Sequence, residues 1–245
     1  MEKLSLKIEH DLIAEALFEL RFDSSYPSEA VFGVVYQIVK KLYPNIENIA
    51  LPILQLPEAV RNADPNLKYQ PHNRLQNGSW GFSIGPKVIV FFVQKPYIGW
   101  KEWKPIIIKV LNELIEAKLF KNVERSSLRY LDFVNESIFS VANVSVKIIN
   151  EELKNQPTTL RTEYIDEDYI KIMHIFNNTN MLVNNVQMQG SLIDIDIIRH
   201  LKFINVQNFS QKLEEILDES HNKTKILFFN FLNKEYLEKL RPSYE

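Results

Sequence analysis

The stretch LIAEALFELRF, Leu12 to Phe22, sets the reading of the whole chain. Leu12, Ala14, Ala16, Phe18, Leu20 and Phe22 are apolar, while Glu15, Glu19 and Arg21 fall on the other parity. A period of two is that of a half-buried strand. Asp23 to Ser28 supplies turn and cap residues, after which Val31, Val34, Val35, Ile38, Val39 and Leu42 recur at helical spacing until Pro44 stops the run. Further on, Gly78–Ile84 and Lys87–Gln94 flank Gly85-Pro86 as the arms of a hairpin. The second arm is apolar on both faces from Val88 to Val93, which predicts a central strand. Trp103, Ile106, Ile107, Val110, Leu111, Leu114 and Ile115 mark a second helix starting near Gly99, with Pro105 in its first turn. Val123 to Val134 is extended again. The first half therefore reads β-α-β-β-α-β, a split βαβ order with helices on one face of an antiparallel sheet. The proline-rich Asn45–Asn77 reads as a loop with a short strand near Leu67–Tyr69.

The second half is richer in strands, predicted over Asn143–Ile149, Thr158–Ile165, Tyr169–Phe176 and Val186–Ile198. A long C-terminal helix follows, capped by Asn208 and buried along Leu213, Ile216, Leu217, Thr224, Leu227, Phe228 and Phe231, with a break near Asn222. The fold class is α+β. The division expected is 1–137 as the split βαβ-like half and 138–245 as the strand-rich half with its helix, two halves compatible with one continuous domain or a diverged duplication.

Composition removes several function classes. Lys plus Arg number 29 and Asp plus Glu 31, a net charge of -2, so no global field draws the chain to nucleic acid or anionic lipid. With no cysteine there are no disulfides, thiolate zinc sites, iron–sulfur clusters or thiol nucleophiles. Six glycines and no Gly-rich phosphate loop leave out Walker and Rossmann nucleotide binding, and no Gly-x-Ser-x-Gly, kinase or His-Glu-x-x-His motif occurs. The longest apolar run, Val88–Val93, is far shorter than the roughly 20 residues of a membrane helix. The expectation is a cytoplasmic chain with no leader and no membrane contact.

Two constellations remain. Ile193-Asp194-Ile195-Asp196-Ile197 places both carboxylates on one face of a strand, where hard oxygen ligands suit a divalent metal such as Mg²⁺. His174 lies in a strand able to approach the pair. The alternative reading of Asp194 and Asp196 is a solvated strand face. The second constellation is Glu15, Glu19 and Arg21 with Arg125 and Arg129 from a strand of the same sheet. It forms either cross-strand ion pairs or an open charged platform, with Tyr130, Tyr164 and Tyr169 as aromatic neighbours. Trp80, Trp100 and Trp103 read as core.

Glu15-Ala16-Leu17-Phe18-Glu19-Leu20-Arg21-Phe22, Leu128-Arg129-Tyr130-Leu131, the Asp194–Asp196 strand, and His221 and Phe228 before Asn233-Lys234-Glu235 occur in an order and spacing that resemble a sporadically distributed prokaryotic family of similar length. The family's common proline shortly before the first Glu is missing between Glu9 and Glu15. The resemblance implies genes patterned like those of defence, toxin–antitoxin or mobile-element loci, and it brings no catalytic residue. The expectation is a non-enzymatic protein-binding or regulatory subunit without a cofactor. Its partner would be a protein encoded in the same operon or a second copy, met through Glu15, Glu19, Arg21 and Arg129. The alternatives are a metal-dependent enzyme acting on nucleotides or nucleic acid through Asp194, Asp196 and His174, and a nucleic-acid-binding subunit.

Overall fold

The computed structural model describes residues 7–65, 67–183, 186–201 and 204–243. The elements in chain order are β1 (Lys7–Ile8), β2 (Ile13–Ser24), α1 (Ser28–Leu42), β3 (Glu47–Ala50), a 3-10 turn (Pro52–Gln55), α2 (Glu58–Ala63), β4 (Asn73–Asn77), β5 (Trp80–Gly85), β6 (Val88–Gln94), α3 (Trp100–Glu116) and β7 (Phe120–Val134). They continue as α4 (Ile138–Val141), β8 (Lys147–Ile148), β9 (Glu151–Glu152), β10 (Thr158–Asp166), β11 (Tyr169–Val183), β12 (Val186–His200), α5 (Val206–Phe231), α6 (Lys234–Lys239) and β13 (Pro242–Ser243). The class is α+β, with a strand-rich second half and a long C-terminal helix.

The main sheet has the strand order β10-β11-β12-β7-β2-β6-β5-β4-β3. Within it β2, α1, β5, β6, α3 and β7 realise the split βαβ order, the first strand lying between the third and the fourth. The chain divides into two compact units, residues 16–128 with 198–218, and residues 1–15 with 129–197 and 219–245.

In the unit containing residues 16–128, Ala16, Phe18, Leu20 and Phe22 of β2 are fully buried. Phe18 lies 6.0 Å from Phe91 of β6 and Phe22 4.9 Å from Phe120 of β7, between ring centroids. Phe18, Leu20 and Phe22 each contribute roughly 1.5–3 kcal/mol through burial. Val31, Val35 and Val39 of α1 and Trp103, Ile107, Val110, Leu111 and Leu114 of α3 close the same core. Gly99 begins α3 at φ 88, a conformation costly for any residue with a Cβ. Lys104 of α3 bridges to the first half of α5, its Nζ 2.9 Å from Glu214 and 3.0 Å from Asp218.

The proline-rich segment departs from its expected form. Leu67–Tyr69 is a turn rather than a strand, and the extended pieces are β3 and β4, which pair antiparallel with each other. All four residues of β3 are exposed, so no apolar alternation marked it.

In the other unit, β10 and β11 form a long antiparallel hairpin. Ile193, Ile195 and Ile197 of β12 pack with Val134, Ile138, Val141, Ile175, Phe228 and Leu232. Buried Asn177 accepts from the Ile138 N–H and the Ser137 hydroxyl at 2.8 and 2.9 Å, which ties the start of α4 to β11. Asn143–Ile149 was expected as a strand, and only Lys147–Ile148 is one. The long helix begins two residues before Asn208, with Asn205 Oδ1 accepting from the Asn208 N–H at 2.8 Å, and it runs unbroken through Asn222. No described helix is long and apolar enough to cross a membrane.

Candidate functional site

The residues singled out from the sequence fall into two clusters, one in each unit. In the first, β2 carries Glu19 and Arg21 on the parity opposite its buried side chains, so both are only partly covered. Arg21 Nε donates to Glu19 Oε1 at 2.6 Å, and Arg125 Nη2 of β7 lies 3.7 Å from the same oxygen. The Arg21 guanidinium sits 4.4 Å above the Tyr69 ring, whose hydroxyl donates to Glu124 Oε2 at 2.5 Å. Stacking on an aromatic face is a use to which arginine is better suited than lysine. The Glu19, Arg21 and Arg125 side chains are 20–26% exposed, so they are neither solvated freely nor sealed in.

In the second cluster Arg129 of β7 grips Asp194 of β12. Its Nε donates to Oδ1 at 2.7 Å and its Nη2 to Oδ2 at 2.6 Å, a bidentate fork. The Asp194 side chain is 4% exposed and that of Arg129 40%. The hydrogen bonds it donates to Asp194 raise the guanidinium's pKa, burial opposes this, and the charges of Asp194, Asp196 and Glu15 add to the rise. His174 Nδ1 is 3.8 Å from Asp194 Oδ2, and His174 faces Arg161 across the β10–β11 ladder.

This geometry decides how the Asp pair can be used. Both oxygens of Asp194 accept from one guanidinium, so a divalent cation would have to share them with, or take them from, a bidentate partner. Among the described residues no three His, Asp or Glu side chains are grouped as cation ligands. A cation at Asp194 would compete with the Arg129 guanidinium for the same two oxygens. Two open concavities of about 480 and 740 Å³ are lined by other residues, among them Tyr43, Trp80 and Lys109 in one and Lys118, Lys121 and Gln207 in the other.

Of the expected aromatic neighbours, Tyr164 is exposed, whereas Tyr130 and Tyr169 are buried at 4% and 3% and form no part of an open surface. Tyr130 stacks on His221 at 6.0 Å, and the Tyr169 hydroxyl donates to Glu219 of α5 at 2.5 Å. Trp103 is core; Trp80 and Trp100 are only partly buried.

Three features escaped the sequence reading. Asp132 is buried, and burial above all, with the charges of Asp11 and Asp194, pushes its carboxyl up to about 8. Its signal was its place on the apolar parity Leu128, Tyr130, Asp132, Val134 of β7. Asp166, at the β10–β11 turn, is held near 2 by hydrogen bonds from Lys171 and Lys223 at 2.7 and 2.8 Å. Ile149, 92% exposed, adopts φ 51 at the β8–β9 turn, where a β-branched residue is rare. Asn150 beside it is the local sign of a turn.

No protein-family profile matches the chain, and no curated protein matches it.

Proposed function

We propose that this chain is a non-enzymatic protein-binding or regulatory subunit, serving a locus of the defence or toxin–antitoxin kind. One observation carries the reading: the candidate charges are matched to one another. Arg21 and Arg125 meet Glu19, and Arg129 holds Asp194. A catalytic acid, base or metal ligand needs a lone pair or proton to spare. A recognition surface needs the opposite, a fixed and partly exposed pattern of charge that a partner can complement.

The partner-facing residues on this reading are Glu19 and Arg21, with Arg125 and the Tyr69 ring as their supports. Net charge of -2 argues against nucleic acid as the principal partner. Glu15 and Arg129 belong to the second cluster, where Arg129 also has a structural duty toward Asp194.

The test is affinity purification of the tagged chain expressed from its own operon. A different protein retained in fixed stoichiometry is expected, and its retention should drop at least tenfold with Glu19→Arg or Arg21→Glu in variants whose circular dichroism is unchanged. Recovery of the chain with no other protein, or a partner indifferent to both substitutions, overturns the proposal.

A further inference from the structure

β10 stands at one end of the sheet order and pairs on one side with β11. It is nine residues long, and Thr159 and Arg161 to Ile165 are all exposed, Tyr164 at 53% and Ile165 at 80%. A long edge strand with apolar side chains in solvent is a template for another strand. Natural edges are guarded by charges that repel a neighbour; β10 carries Arg161 and Glu163 in its middle and Asp166 at its end, the last held by Lys171 and Lys223. Arg161 and Glu163 are joined to each other at 2.6 Å on the same face of the strand. Opposite signs two residues apart do not repel a second copy of the strand. They select one register for it.

The geometry points to a twofold-symmetric dimer formed by antiparallel pairing of β10 with β10 of a second copy, centred on Thr162. In that register Arg161 of each copy faces Glu163 of the other, so four charges alternate in sign on one face. Leu160 faces Tyr164 of the second copy on the other face, again twice. Thr159 faces Ile165, which covers the most exposed side chain of the strand. Sliding the copies two residues either way sets Arg161 against Arg161 or Glu163 against Glu163, and like charges directly opposite destabilise a pair. The sequence Thr158-Thr159-Leu160-Arg161-Thr162-Glu163-Tyr164-Ile165-Asp166 is thus complementary to itself when read backwards, as an isologous interface requires. A heterologous partner would not demand that symmetry. This inference uses residues separate from Glu19 and Arg21, and stands or falls apart from the reading above.

Sedimentation equilibrium of the purified full chain tests it, with the charges rearranged. The wild type should be a dimer. Arg161→Glu alone places Glu opposite Glu163 twice, and Glu163→Arg alone places Arg opposite Arg161 twice; each should raise the dimer dissociation constant at least tenfold. The double swap, Arg161→Glu with Glu163→Arg, restores every opposite-sign pair and should restore the dimer. Both side chains are exposed, so the variants are expected to fold, which circular dichroism checks. A monomeric wild type at 100 µM, a dimer unmoved by the single variants, or a swap that fails to restore it overturns the proposal.

Discussion

Arg129 and Asp194, 65 residues apart in the chain, are joined by two parallel hydrogen bonds of 2.7 and 2.6 Å. The carboxylate is almost fully covered and the guanidinium 40% exposed. Removing the arginine strands a buried charge, whereas removing both partners does not. Arg129→Ala should therefore cost about 2–3 kcal/mol in urea unfolding, a figure reduced from the fully buried case by the exposure of Arg129. Arg129→Met combined with Asp194→Leu should recover most of that loss. Equal destabilisation by single and double variants would count against a compensated pair.

The same clamp governs metal response. Addition of millimolar Mg²⁺ or Mn²⁺ should leave the thermal midpoint of the wild type unmoved, since a cation would compete with Arg129 for both oxygens of Asp194. A rise in midpoint that vanishes in Asp194→Asn with Asp196→Asn would instead return these carboxylates to metal binding.

Asp132 makes the fold lose stability as pH rises from the acid range to neutrality. Its folded pKa, about 8, stands above the ordinary carboxylate value of 3.8. Between these values the folded state keeps a proton that the unfolded chain gives up, so stability falls as pH rises from about 4 to about 8. Asp132→Asn should flatten that slope in denaturant titrations and stabilise the protein at pH 7 by more than about 1 kcal/mol. A slope unchanged by the substitution would assign it to other groups.

Asp166 has the opposite sign. Hydrogen bonds from Lys171 and Lys223 hold it near 2, below 3.8, so its contribution is complete above about pH 4 and is lost as pH falls toward 2. Lys223→Met should shift the acid unfolding midpoint upward, read by tryptophan fluorescence.

Gly190 is required by close packing. A Cβ there would clash with the Val134 carbonyl oxygen and lie 2.7 Å from the Phe133 ring. Backbone cannot give way as a flexible side chain can, so Gly190→Ala should cost about 3 kcal/mol or prevent folding. Gly33, with no neighbour within 4 Å, should accept Ala without loss.

Much of the architecture was legible along the chain because its signals are local. The parity of Leu12–Phe22, the helical stripe from Val31 to Leu42 and the Gly85-Pro86 turn each declare themselves within a dozen residues. Reading failed where the stabilising partner is distant or the pattern weak. β3 is exposed at all four residues and held by its pairing with β4, some 25 residues on, and the cap of α5 is Asn205 rather than Asn208. The strands β11 and β12 outran their expected ends because a hairpin's length is set by cross-strand pairing as well as by each arm's own pattern.

For the charged residues the division is sharper. Alternation alone placed Glu15, Glu19 and Arg21 opposite the buried parity of β2, and Asp194 and Asp196 opposite the three isoleucines of β12, since period two follows from the geometry of an extended backbone. It could not say that Asp194 meets Arg129, that Arg21 lies over Tyr69, or that Asp132 keeps its proton. Those depend on strand order and register, which bring together residues separated by 48 to 65 positions, or more in the case of Asp11 and Asp132. Side-chain identity settles which groups can pair; only the packed sheet settles which of them do, because charge interactions act over a few ångströms of space and take no account of distance along the chain.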